Sequence, residues 1–393
     1  MGNKVKLGII GIGNMGTGHA NNIKNGYCPE IELVAVADIN PARLEWAREN
    51  LPESVARFDT AEAMLDSGLL DACIVAVPHY NHPTYVMACL ERGIHPLSEK
   101  PAGVYTKQVR EMNEAASKHP ELKFAMMFNQ RTNPLYIKMR ELVRSGKYGQ
   151  IRRVNWLITD WYRSQQYYDS GDWRATWTGE GGGVLMNQCP HQLDLLQWIC
   201  GMPTMIDCHA HFGKWHDIEV EDDVSAYMEF PNGATGVFIA STGDACGSNR
   251  FEIQMDGAKI VCENNKLKLW EFEMFEQEYS RRSTTGSFGS LKTSYQEIEV
   301  EQPDIPQHAI VLNAWAGAIL HGTPLIAGGF EGINGLSLDN AMRLSAFTRK
   351  EVSLPVDEDV YYGELMKRVA VSRPKSTGAA VFADTTGSYN GAK

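Results

Sequence analysis

The stretch VKLGIIGIGNMG, residues 5–16, decides how the rest of the chain reads. Val5, Leu7, Ile9 and Ile10 make a short apolar run, as a strand does when both sheet faces bury it. Gly11, Gly13 and Gly16 follow in G-x-G-x-x-G spacing. The first permits a tight turn, the second lets backbone approach a pyrophosphate, and the third lets helix pack on strand. Ile12, Asn14 and Met15 lie between them, where a helix begins whose N-terminal amides face a bound phosphate. Glycine-rich turns also arise for structural reasons alone, so a second signal matters. The apolar run 31–37 ends on Asp38, 22 residues beyond Gly16. A carboxylate there accepts from a ribose 2′-hydroxyl and repels a 2′-phosphate. Strand, glycines, helix and acid together predict a dinucleotide site that prefers NAD to NADP.

Working outward, 393 residues suffice for two domains with separate cores. The formal net charge of −11 argues against nucleic-acid or anionic-membrane partners. No apolar run approaches the ~20 residues that span a bilayer. The first strand begins within five residues, so no signal peptide is expected. The eight cysteines are scattered without a C-x-x-C pair. They read as reduced core thiols, and the reading is a cytoplasmic enzyme.

Helical patterns over residues 16–24, 41–50, 61–66 and 83–92 alternate with apolar runs 31–37, 72–77, 94–98 and 123–128. Such alternation predicts a parallel, doubly wound sheet. Pro78, Asn81 and His82 fall in the turn at the carboxyl end of a central strand, the edge where open α/β sheets bind ligands. Glu99, Lys100 and Pro101 end the next strand on the same edge. In isolation this charged pair reads as a surface ion pair, but beside a nicotinamide it reads as site machinery.

At these residues the chain resembles the family named for glucose–fructose oxidoreductase, inositol dehydrogenase and a rhizopine-catabolism protein. The likeness rests on Gly11 to Gly16, Pro78-x-x-Asn81-His82, Glu99-Lys100-Pro101, and Gly181-Gly182-Gly183 through His191 and Asp194. It implies an α/β Rossmann domain (residues 1–128) and an α+β domain with an open, mainly antiparallel sheet (residues 129–372). It also implies oxidation or reduction of a secondary alcohol on a sugar or cyclitol with NAD or NADP, and dimers or tetramers joined through the second domain. Pro78, Asn81, His82, Glu99 and Lys100 are then expected at the cofactor, with Lys100 and His191 as the catalytic pair.

The pattern beyond residue 128 suits that expectation. Many strand-like runs follow one another, and residues 231–233 and 256–257 read as hairpin turns. Between residues 159 and 181 lie six aromatics, including Trp161, Tyr162, Trp173 and Trp177, with Arg163 and Arg174 interleaved. Some must anchor the loop, but no helical or strand period puts all of them in a core. Flat aromatic faces suit the C–H faces of sugar rings. Trp161, Tyr162, Arg163, Trp173 and Trp177 are therefore expected to line a substrate site.

A helical stretch is expected from Gly181 to about Cys200, with Asn187, His191 and Asp194 on one face. Many inositol-dehydrogenase relatives carry aspartate four residues before the histidine, where this chain has Asn187. Asparagine orients a hydroxyl but takes no proton. Asp194 is expected to fix His191 or a sugar hydroxyl. His308, opening a helix over 305–321, reads either as a cleft residue or as a cap. His209 and His211 share a strand face near Asp222 and Asp223, but the spacing matches no closed zinc set. No metal is expected. Residues 373–393 read as a tail rich in small and polar residues.

The leading expectation is an NAD-dependent oxidoreductase acting on a sugar, a glycoside (possibly at C3) or a cyclitol. A second is an NAD-dependent glycosidase or lyase that oxidises C3 transiently and then eliminates, as some relatives do. A third is a non-catalytic sugar-responsive binding protein, against which intact Lys100 and His191 argue.

Overall fold

The computed structural model describes residues 4–283, 289, 291–373 and 375. Apart from Arg373 and Lys375, the expected tail lies outside the described residues. Six parallel strands form the first sheet: β1 (Val5–Ile10), β2 (Ile31–Ala37), β3 (Ala56–Phe58), β4 (Ala72–Val75), β5 (His95–Ser98) and β6 (Ala125–Met126). Their order, β3-β2-β1-β4-β5-β6, is the doubly wound order of dinucleotide-binding folds. Helices α1 (Asn14–Lys24), α2 (Pro41–Asn50), α3 (Ala61–Leu65), α4 (His82–Glu91) and α5 (Thr106–Ala116) connect them. Asn40 caps α2 by accepting from the Ala42 amide at 3.0 Å, with Pro41 in the first turn. Parallel pairing, such as Ile9 opposite Ile74, brings the ends of β1, β2, β4 and β5 to one edge. Gly11, Asp38 and Glu99 follow three of those ends directly, and Pro78 lies three residues beyond the end of β4.

The second sheet has nine strands: β7 (Ile151–Ile158), β8 (Met205–Phe212), β9 (Glu221–Glu229), β10 (Thr235–Ser241), β11 (Asn249–Met255), β12 (Ala258–Glu263), β13 (Lys266–Phe272), β14 (Thr293–Ile298) and β15 (Val352–Ser353). Among the described residues of this sheet only the β7–β10 pair is parallel. The sheet is thus open and mainly antiparallel, as expected. Helices α6 (Pro134–Arg144), α8 (Pro190–Cys200) and α11 (Gly332–Thr348) cover one face, while α7 (Gln165–Asp169), α9 (Glu276–Arg282), α10 (Gln307–His321) and α12 (Glu358–Val369) complete the chain. Trp156 stacks on Phe251 in this core, with centroids 4.0 Å apart, and neither ring reaches solvent. Trp156→Ala should cost roughly 3–5 kcal/mol of stability, read as a drop in Tm.

Helix α10 returns to the first sheet. Ala309, Leu312 and Trp315 join Leu7, Ile9 and Ile74 in one core. Its first residues therefore stand over the carboxyl edge of that sheet. Among the described residues no helix is long and apolar enough to cross a membrane, and all eight cysteines are free thiols.

Candidate active site

The glycine turn is as tight as its spacing requires. Gly11 has φ +87°, and a Cβ there would sit 2.3 Å from the Ala76 carbonyl oxygen. A Cβ on Gly16 would meet the Gly11 carbonyl at 1.9 Å. Gly13 has nothing within 4 Å of that position, so its backbone is open to approach from outside. Helix α1 begins on the next residue, Asn14. Close packing at two glycines and open space at the third fit a pyrophosphate over the helix N-terminus. Asp38 is held at the mouth, its carboxylate accepting from the Ile12 amide at 2.7 Å and the Asn40 amide at 2.8 Å. Arg43 crosses the same turn, donating to the Ile12 carbonyl and the Thr17 hydroxyl.

A second cluster gathers where β5 ends. Glu99 is buried, and its carboxylate meets the His19 ring at 2.7 Å and the Lys100 amide at 3.2 Å. Burial opposes its ionisation, but the His19 hydrogen bond, with His19, His308 and Lys100 close by, wins and holds it down to about 2. His308, at the start of α10, lies with its ring centroid 5.8 Å from that of His19. Burial, reinforced by His19 and Lys100, pushes His308 down to about 4. The Lys100–Pro101 peptide is cis. Lys100 Nζ donates across the cleft to the Asn187 carbonyl at 3.0 Å.

The segment that receives this bond is not one helix. Residues Val184–Gln188 form a π turn, and α8 begins only at Pro190. His191, on the first turn of α8, is buried beside Phe128. Burial first, then the charge of Lys100, lowers its pKa well below the ordinary value, so the imidazole is neutral. The structure thus brings Lys100, His191, Asn187, Glu99 and His308 to one place. A neutral imidazole and an ammonium there can take a proton from a hydroxyl and stabilise the oxygen it leaves.

Other expected site residues have different work. Asp194 does not fix His191: Arg131 Nε and Nη2 grip its carboxylate at 2.8 and 2.7 Å, and Gln197 adds a bond at 3.0 Å. His82 is not exposed to a cofactor. It is buried, with Nδ1 2.6 Å from the Pro101 carbonyl and Nε2 2.7 Å from that of Val77, and it braces the two loops against each other. Pro78 and Asn81 keep exposed surface on that turn. Trp177 is a core residue at 5% exposure, packed between Phe212 and Phe347. Trp161 packs partly on the second core, and Tyr162 is 50% exposed. Arg163 lies over the rings of Trp161 and Tyr167. Trp173 sets its ring edge-on to that of His79, with centroids 6.0 Å apart. Among the described residues no group of three or more His, Cys, Asp or Glu could hold a metal. His211 instead pairs with Asp223 at 2.9 Å.

Sequence reasoning missed His19 and Glu180. His19 lies three residues after Gly16, on the same face of α1, a spacing that could have revealed it. Glu180 sits in irregular backbone beside Gly181, where no period points to it.

This fold and cluster define an NAD-binding oxidoreductase scaffold. Residues 5–126 match the model of the oxidoreductase family with an NAD-binding Rossmann fold, and residues 136–261 match that of the GFO/IDH/MocA C-terminal domain. The chain belongs to the GFO/IDH/MocA family. It is 27% identical over 206 residues to a 1-carboxy-3-chloro-3,4-dihydroxycyclohexa-1,5-diene dehydrogenase of Comamonas testosteroni, covering 52% of this chain and 50% of that one. It is 28% identical over 249 residues to the D-glucoside 3-dehydrogenase of Escherichia coli, covering 58% of this chain and 68% of that one. Among solved structures, the WlbA dehydrogenase of Chromobacterium violaceum, in complex with NADH and UDP-GlcNAcA, superposes with a TM-score of 0.76. The two are 26% identical over 91% of this chain and 98% of that one.

Proposed function

We propose that the chain is an NAD-dependent dehydrogenase of a secondary alcohol on a sugar, glycoside or cyclitol, with C3 of a D-glucoside as one candidate position. The observation that carries the reading is the Lys100 bond to the Asn187 carbonyl, which joins the E-K-P turn to the segment bearing a neutral His191. Bound NAD supplies the hydride acceptor. Gly11, Gly13, Gly16 and Asp38 would hold it, with Pro78 and Asn81 along the same edge. His191 takes the proton of the substrate hydroxyl on its imidazole, and Lys100 Nζ donates to the same oxygen. Glu99, charged and tied to His19, keeps the Lys100 turn in place. The relatives that act on a cyclic diol and on a glucoside support the substrate class. Eight free thiols suit a reducing compartment, and we place the enzyme in the cytoplasm.

The test is NADH formation over a panel of free sugars, inositols and methyl glycosides. NADH accumulating with one class supports the reading. Cleavage of a glycoside without NADH would replace it with the elimination chemistry, and neither would leave a binding protein.

Asp38 should make NAD bind at least about tenfold tighter than NADP, or about 1.4 kcal/mol. Asp38→Ala should narrow that gap, and equal affinities in the unaltered protein by calorimetry would refute the assignment. Trp173→Ala should raise KM and leave NAD affinity unchanged, whereas Trp177→Ala should lower Tm at unchanged KM. The outer face of the second sheet pairs two exposed apolar residues, Tyr227 and Val237, across β9 and β10. We assign homo-oligomer contacts to this face, and Val237→Glu should shift the mass measured by light scattering toward the monomer.

A further inference from the structure

We propose that Glu180 is a positioning residue that locks the Asn187 amide with its oxygen toward the cleft, so that position 187 selects a substrate hydroxyl able to donate. The inference rests on the function proposed above.

From residue 181 to residue 197 every residue is buried except Asn187. It is the point where this segment reaches open space. Its Nδ2 donates to Glu180 Oε1. An ionised carboxylate only accepts, so the amide must turn its NH₂ group to Glu180 and leave Oδ1 for another partner. Glu180 cannot follow a misplaced amide. Its Oε2 accepts from the Ala175 amide at 2.6 Å, its own amide donates to the Thr176 carbonyl at 3.1 Å, and its carbonyl faces His79 Nδ1 at 3.1 Å. Burial raises the pKa of this carboxyl, while Arg174, the Ala175 amide, Asn187 and Lys100 oppose the rise. Arg174 Nη1 stands 3.8 Å from Glu180, and its guanidinium lies 4.5 Å from the Trp173 ring centroid and 4.7 Å from that of Tyr167. The aromatic loop therefore bears on Asn187 through Glu180, while Lys100 holds the Asn187 backbone from the other domain.

This pairing has a polarity, and the polarity can be exchanged. Asn187→Asp alone would set two carboxylates against each other, which forces one to take a proton or to swing away. Glu180→Gln alone leaves the amide free to face either way. Combining the two restores one donor and one acceptor, and an oxygen still faces the cleft.

The experiment measures kcat and KM for the four proteins with methyl β-D-glucoside and myo-inositol as probes, together with Tm. Asn187→Asp should lower kcat/KM by about 10²-fold, the scale of a misplaced orienting group. Glu180→Gln should act mainly through KM. The double variant should recover to within several-fold of the original, with Tm losses that do not add. A double variant no better than Asn187→Asp, or an Asn187→Asp protein as active as the original, would overturn the proposal. If the unaltered protein oxidises neither probe, the proposed function fails for those substrates and the role in selecting them falls with it. The Tm cycle then judges the pairing alone, and additive losses would overturn that too.

Discussion

Lys100→Met is expected to bind NAD about as well as the unaltered protein and to turn over roughly 10²–10³-fold more slowly, the effect of removing one preorganised donor from an oxyanion. Methionine keeps the length of the side chain and removes the charge and the three donors. NAD is assigned to the glycine turn and Asp38, so calorimetry with NAD should be little changed. The variant also loses the bond to the Asn187 carbonyl, and part of the loss should appear as a higher KM. Loss of Lys100 also removes a charge that depresses His191, so the imidazole pKa should rise in the variant.

His191→Ala is expected to lower kcat by about 10²–10⁴-fold, the usual contribution of a general base. The pH dependence follows from the direction of its shift. A base works when deprotonated, and burial together with Lys100 holds the folded pKa below 6.5. For oxidation of the alcohol, kcat/KM should therefore be level through neutral pH and fall only under clearly acidic conditions. In Lys100→Met the acid limb should move toward neutral pH. In His191→Ala it should vanish. An acid limb that survives in His191→Ala would assign the proton to another group.

Much of the first domain was legible because its strands are short apolar runs separated by helix caps, and because glycine has few substitutes where φ is +87°. Strands β8 and β13 alternate apolar and polar residues as half-buried strands do, while β10 shows as a continuous apolar run, Val237 to Ala240. Helix α11 was not legible: Gly332 and Gly335 lie within it, and burial on nearly all sides leaves no amphipathic stripe to read. Strand β9 begins at Glu221, and its first two acids are buried rather than exposed. Glu221 accepts from the Gly183 and Leu185 amides, and Asp222 from those of Lys214, Trp215 and His216. Polarity patterns cannot reveal an acid whose partners are distant backbone amides.

The site shows the same division. Motifs located Lys100 and His191, but what each neighbour does depends on contacts between residues far apart in sequence. Asp194 shares a helical face with His191, yet Arg131, 63 residues away, claims it. Six aromatics crowd one loop, and only the fold separates Trp177 in the core from the half-buried Trp173 beside His79.

The central claim is that Lys100 and His191, from two domains, act on one substrate oxygen. Stopped-flow single-turnover formation of NADH, at saturating NAD and substrate, tests it most directly in Lys100→Met, His191→Ala and the double variant. Groups that act as a unit give non-additive losses, so the double variant should be about as slow as the slower single one. Near-original rates in either single variant, or losses that multiply in the double, would contradict the account.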